Sequence, residues 1–235
     1  MTASDQGVYS AAVNLCATIS AVGLAVNNVI FPHLSTMWEE GRKDRALFNL
    51  DLTIRFAAVC LTVVGFALVL VGRPLILTLL GNAYAGGVAV LPYLVVFYLF
   101  TVSVWLFGVY ASLVEKTYVS TVGLVLALPV NVALNLLLIP GLGIAGAGLA
   151  TMLSYAILWF IVVGLCVRLG MPLYRRTLIA SMSPFLILLP RVPAGIAIGA
   201  IAVLCGTTDI VLTHGERSRI GEQIKSFMRR GKARG

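Results

Sequence analysis

Long apolar runs decide what this chain can become. Residues 8–33, 51–72, 88–114, 118–140 and 143–168 are each predominantly apolar over at least the ~20 residues that a helix needs to cross a hydrocarbon core. In that medium backbone N–H and C=O groups find no water, so each run must satisfy them internally, as a helix. Two weaker runs, 177–190 and 192–212, are punctuated by Pro184, Pro190 and Pro193. They read as two thin spans, with a re-entrant hairpin as the alternative. The expected fold is therefore all-α, a polytopic transmembrane helix bundle of about seven spans. Composition agrees: 60% of the 235 residues are hydrophobic, 11% are charged, and the mean hydropathy is +1.00. Soluble domains carry about 45–50% apolar and about 25% charged residues, so a water-soluble globule is excluded.

Lys and Arg orient the bundle. With alternating loops, one side collects Arg42, Lys43, Arg45, Lys116, Arg168, Arg175 and Arg176, together with Arg217, Arg219, Lys225, Arg229, Arg230, Lys232 and Arg234 of the tail. The other side holds only Arg73 and Arg191. Basic loops stay in the cytoplasm, so the C-terminus is expected inside and the N-terminus outside. The opening MTASDQG lacks the basic n-region of a signal peptide. An external N-terminus without such a signal leads us to expect a further segment before Met1. Trp38 and Tyr118 fall at cytoplasmic ends and Tyr84 and Tyr93 near external ones, depths that amphipathic rings favour. In the tail, Ile220, Ile224, Phe227 and Met228 recur at helical spacing among basic residues. That pattern fits an amphipathic helix on anionic lipid, and the tail is too short and too close to the membrane to read as a nucleic-acid binder. Three regions result: a bundle over 1–170, an additional short pair or hairpin over 171–213, and a basic cytoplasmic tail over 214–235.

Catalysis has little to work with. The nine acidic residues lie mostly in loops and tail, His33 and His214 are far apart, and no metal-ligand spacing or nucleotide-binding motif occurs. We expect no enzyme activity, no metal and no cofactor. Cys16, Cys60, Cys166 and Cys205 each sit inside an apolar run without a CxxC pair, and are expected as small buried apolar side chains.

The polar residues within the spans are the candidates for function. Asn131 and Asn135, spaced i, i+4, share one helical face. We read them first as an interhelical hydrogen-bond clamp, and alternatively as lining of a substrate path. Gly146, Ala147, Ala150, Thr151 and Ser154 form a small-residue packing face. Asn27 and Asn28 precede Phe31-Pro32, and Pro32 is expected to bend or end its helix near the cytoplasmic face. Arg55 follows Asp51 by four residues, which predicts an ion pair with the guanidinium snorkelling to head groups. The alternative is a cationic contact for a diphosphate, which a guanidinium suits. Arg42, Lys43 and Arg45 share a loop with Glu39, Glu40 and Asp44, read as a solvated basic loop or as a site of substrate capture.

Four segments carry a family resemblance. They are Phe31-Pro32-His33-Leu34-Ser35 with Trp38-Glu39-Glu40-Gly41-Arg42, then Leu79-Leu80-Gly81-Asn82-Ala83-Tyr84, then the run from Asn131 to Pro140, and then Gly143-Ile144-Ala145-Gly146-Ala147-Gly148 with Ala150-Thr151 and Ser154-Tyr155. Their order and spacing resemble the C-terminal half of the polysaccharide-transporter flippases. These are the O-antigen and exopolysaccharide flippases of the multidrug/oligosaccharidyl-lipid/polysaccharide exporter superfamily. By motif, the first span looks like that family's eighth helix and the fifth like its twelfth. The resemblance implies one lobe of a two-lobed transporter built from repeats around a central cavity, with the first lobe missing. It implies translocation of a polyprenyl-diphosphate-linked oligosaccharide for polysaccharide biosynthesis across the inner (plasma) membrane, driven by an ion gradient, membrane potential or the substrate gradient. The implied partners are that lipid-linked oligosaccharide, membrane lipids, and either the missing N-terminal lobe or a second copy; nucleic acid is not among them. The alternatives are a multidrug or metabolite efflux relative of the same fold, or a membrane-embedded polysaccharide polymerase or glycosyltransferase. The last needs a sizeable external loop, and the expected external loops are short.

Overall fold

The computed structural model describes residues 3–190, 195–196 and 198–200. The run 192–212 lies largely outside the described residues, and the tail 214–235 and Cys205 lie wholly outside them. Four long helices dominate: α1 (Ala3–Glu39), α2 (Lys43–Leu79), α3 (Leu91–Leu113) and α4 (Tyr118–Arg168). A 3-10 segment, Asn82–Ala89, joins α2 to α3, and a short α5 (Arg175–Ser181) runs into a second 3-10 segment, Ser183–Leu188. No strand occurs among the described residues. All four long helices have the length and apolarity to cross a membrane, and the chain is a membrane protein of helical architecture.

α4 is two rods rather than one. Its 51 residues would reach ~76 Å if straight, more than twice the ~30 Å hydrocarbon thickness. Gly143 breaks it with φ 58° and ψ −132°, a combination that only glycine adopts without strain. The arms then fold back on each other. Asn131 Nδ2 donates to Ser154 Oγ at 3.2 Å, Gly123 faces Leu158 and Val162, and Gly146 lies against the Leu138 carbonyl. The Pro140-Gly141-Leu142-Gly143 stretch is thus the turn of an antiparallel helical hairpin, and each arm is itself of membrane length.

α3 is the hub. Of its apolar window 78% is buried, against 39% for α2, 17% for α1 and 11% for α4. Lipid tails are as apolar as the side chains, so close packing rather than water expulsion must hold helices to it. The neighbours supply the means. Gly23 of α1 receives Val102, Gly65 and Gly72 of α2 receive Val95 and Leu91, and Gly148 of α4 receives Val90 and Tyr93. Polar and aromatic contacts finish the join. The Trp159 indole N–H donates to Ser103 Oγ at 2.8 Å, both buried, and Phe100 and Phe107 pack on the Trp159 ring.

Basic residues gather at one end. The α1 and α3 ends meet through Trp38 and Tyr110, whose rings stand edge to face at 6.5 Å, and Tyr110 Oη donates to the Leu169 carbonyl at the end of α4. Arg42, Lys43, Arg45, Lys116, Arg168, Arg175 and Arg176 all border these ends. Tyr84 and Tyr93 belong to the opposite end, where Gly86 and Gly87 of the first 3-10 segment touch Val8 of α1.

Four expectations are corrected. The first and second helices run past 33 and 72 to Glu39 and Leu79. Pro32 does not end α1, because a proline deletes one donor and need not stop a helix whose other bonds hold. Residues 177–190 are not one span: α5 and the second 3-10 segment break at Met182–Pro184 and pack on α2 and α3. Cys60 is exposed, while Cys16 and Cys166 are buried as expected.

Gly143→Ala is expected to cost about 1–3 kcal/mol through backbone strain, and Gly146→Val to force the arms apart. Gly141→Ala, with ordinary φ and open space beside it, is expected to stay within about 0.5 kcal/mol of the parent. Thermal unfolding of the detergent-purified protein measures all three.

Candidate functional site

The polar residues of the spans divide into three sets. The first is the hairpin clamp. Besides the Asn131–Ser154 bond, Asn135 Nδ2 donates to Asn131 Oδ1 at 3.0 Å and to its carbonyl at 2.9 Å. Asn131 ties the two arms of α4 together, and Asn135 braces Asn131 from within its own arm.

The second set surrounds Arg55. Its guanidinium Nη2 donates to Asp51 Oδ2 at 2.6 Å, and both residues are buried, at 3% and 5% exposure. The Thr177 hydroxyl donates to the other oxygen, Asp51 Oδ1. The expected pair therefore forms, but Arg55 does not snorkel: α5 covers it. A charge this enclosed is tolerable because its counter-charge is fixed at helical i, i+4 spacing and itself held by a third group. Further along, Thr62 Oγ1 and Ser183 Oγ lie 2.8 Å apart, both buried. Asp51, Arg55 and Thr62 thus form a polar seam binding the 175–188 segment to α2.

The third set is on α1 and is the one that faces outward. Gly7, Ser10, Asn14, Thr18, Ala21, Ala25, Asn28 and Pro32 are all exposed. At 100° per residue they fall on one stripe, roughly 180° from the packed face of Ala12, Cys16, Ile19, Gly23 and Leu34. Among the described residues, Asn14 and Asn28 make no side-chain hydrogen bond, and Thr18 bonds only to its own helix at Leu15. Pro32 has no N–H to give the Asn28 carbonyl, which adds a backbone acceptor to the same face. α1 is also the least apolar of the four.

Beside this stripe a cleft of about 340 Å³ opens between α1, α3 and the start of α4. Asn27, Phe31, Trp105, Ser112 and Ser120 line it. Asn27 Oδ1 is enclosed there without a hydrogen-bond partner among the described residues. On the other flank an apolar groove of about 400 Å³ separates α1 from α2, lined by Val22, Val26, Phe56 and Cys60. Asn27 and Asn28 thus stand at an open surface, whereas Arg55, Asn131 and Asn135 lie in separate bonded networks away from it. The stripe as a whole escaped sequence reading. Ser10, Asn14 and Thr18 are modest polar residues in an apolar run, and their alignment with Asn28 was legible in the 3–4 spacing. At the basic end Arg42, Lys43 and Arg45 are exposed; Arg42 pairs with Glu40, and Lys43 Nζ sits 5.2 Å from the Trp38 ring centre. Among the described residues no cluster of His, Cys, Asp and Glu can hold a metal.

Asp51→Ala is expected to destabilise the fold by about 3–5 kcal/mol, since it removes the counter-charge of a buried guanidinium. The double variant Asp51→Leu with Arg55→Met is expected to recover most of that loss. Yield and thermal stability in detergent read both. A double variant as unstable as the single would show that apolar side chains cannot replace the pair.

Compared with protein-family models, with characterised proteins and with solved structures, the chain finds no match.

Proposed function

We propose that this protein is one half of a membrane transporter that flips a polyprenyl-diphosphate-linked oligosaccharide, with α1 as the wall of the path. The observation that carries this reading is the outward stripe of α1. Polar side chains in a span face a bundle interior, a partner or water, because in hydrocarbon their hydrogen bonds go unmade. Here they face away from the bundle, over ~33 Å from Ser10 to Pro32, about the thickness of the hydrocarbon core. Such a stripe gives a glycan uncharged donors and acceptors toward both ends of the span, at Ser10, Asn14 and Thr18 and again at Asn28, with the small Ala21 and Ala25 between them. Amides and hydroxyls match sugar hydroxyls without binding an ion tightly. The cleft beside it adds the indole of Trp105 and the hydroxyls of Ser112 and Ser120, which suit a sugar ring with apolar faces and hydroxyl edges. The exposed Arg42, Lys43 and Arg45 stand at the end where the route begins and suit a diphosphate. The apolar groove between α1 and α2 offers the prenyl chain a lane parallel to the glycan. The four sequence segments that resemble the flippases are the second support. Arg55 is a structural residue in this reading, because α5 encloses it.

Cysteine substitution along α1, in a background without native cysteines, tests the path. Asn14, Thr18, Ala21, Ala25 and Asn28 are expected to react with a membrane-impermeant thiol reagent, while equally exposed positions on α4 such as Leu128 and Leu137 do not. Asn28→Leu is expected to lower glycan-lipid flipping in proteoliposomes ~10-fold, the effect of one lost hydrogen bond of about 1.4 kcal/mol in the transition state. Uniform non-reactivity along α1 would refute the path.

A further inference from the structure

The stripe on α1 covers half of a path, and something must supply the other half. We infer that it is a second copy of this chain, placed with its own α1 stripe facing the first across a two-fold axis along the membrane normal. The inference rests on the reading of α1 as a path wall and adds the identity of the facing partner.

The chemistry of the stripe selects the partner. Asn14, Thr18 and Asn28 each donate and accept, and no charged side chain lies among the exposed stripe positions from Gly7 to Pro32. Such a surface complements itself. A stripe of donors alone, or of one charge, would repel its own copy and call for a different protein. Membrane insertion then fixes the symmetry. Two copies of one chain enter the bilayer the same way round, so their α1 helices run parallel and the two-fold axis stands normal to the membrane. In that arrangement each stripe residue meets its own counterpart: Asn14 opposite Asn14, Asn28 opposite Asn28. Amides at such sites pair reciprocally when close and share water when apart. The spacing supports the geometry. From Thr18 to Pro32 the positions step by three, four, three and four, which keeps the stripe straight toward a parallel neighbour over its whole length. Small residues, Ala21 and Ala25, occupy the middle and admit close approach there, while Asn14 and Asn28 stand on either side of it.

Among the described residues nothing covers this face of α1. α1 packs on α3 by the side opposite the stripe, and the 175–188 segment covers α2. α4 offers no competitor: its exposed positions Leu124, Val125, Leu128, Leu136 and Leu137 are aliphatic, the surface that lipid itself satisfies.

Single cysteines at Asn14, Ala21 and Ala25, in the background without native cysteines and in native membranes, are treated with bifunctional thiol linkers of graded length. Dimer formation at all three, with none at Leu128 or Leu137, supports the second copy. In lipid nanodiscs the parent is expected to count as two subunits, and Asn14→Leu with Asn28→Leu to raise the dissociation constant ~10-fold. Cysteines that react with the impermeant reagent but never cross-link, in a particle that counts as one subunit, would leave the path standing and overturn the second copy. Cysteines that neither react nor cross-link would overturn both. Equal cross-linking at the α4 positions would also overturn it, because random collision would then explain the products.

Discussion

Close approach to α3 is the constraint on which the rest of this bundle depends. In water a core forms because apolar surface is expelled, and sequence hydrophobicity then tells inside from outside. In lipid that force is absent between helices, and contact goes to whichever surfaces fit. α3 is predominantly aliphatic and aromatic, with Thr101, Ser103 and Ser112 its few hydroxyls outside the tyrosines. It becomes the centre because α1, α2 and α4 each turn a glycine toward it at Val102, Val95 and Leu91, and Val90. Each glycine lets one backbone come near, and the rest of each interface follows from that fixed point. Ser103 and Trp159 then close the α3–α4 contact with a single buried hydrogen bond.

The orientation of α1 is a consequence. Gly23 faces α3, so the side at 180° faces out, and that side carries Asn14, Thr18 and Asn28. A helix free to rotate would turn its amides inward. α1 cannot, because rotation would trade the Gly23–Val102 contact for Ala21 or Ala25 and push the helix away from α3. Packing and polarity thus pull α1 in opposite senses, and packing wins. The unmet polarity is left on the surface. Local conflict of this kind is where function is expected, since a helix serving only stability would carry Leu or Val at these positions.

Much of this was legible in the sequence, for identifiable reasons. The long apolar runs marked the helices because backbone satisfaction in lipid leaves no other choice. The hairpin was legible at Pro140–Gly143 because both arms exceed membrane length and a turn must lie between them. The Asn131–Asn135 clamp followed from i, i+4 spacing. Helix ends were less legible: α1 and α2 overrun into the polar zone, where hydropathy falls but the helix persists. The third member of the Arg55 network, Thr177, lies 126 residues from Asp51, and no local pattern announces a partner at that distance. The break at Met182–Pro184 had its proline as a signal, yet hydropathy outweighed it. The outward stripe needed the neighbour of α1 to be known, since a periodic polar face reads as inward until packing shows which side is taken.

The placement of the polar networks bears on how such a body can move. Alternating exposure of a path requires either that helices rearrange within a lobe or that lobes rock as units. Internal rearrangement here would open the Asp51–Arg55–Thr177 network or withdraw a glycine contact from α3, and uncovering that ion pair alone costs several kcal/mol. Rocking costs neither, because among the described residues the ion pair and the buried hydrogen bonds lie within the bundle and none lies on the α1 stripe. In the proposed pair the stripes would meet through amides and hydroxyls that exchange readily with water, so two facing stripes could part at one end and close at the other at little expense. In that pair the small residues at the middle of the stripe, Ala21 and Ala25, would set the fulcrum. The bundle is built rigid inside and yielding along one face, and that face is the one the fold leaves polar.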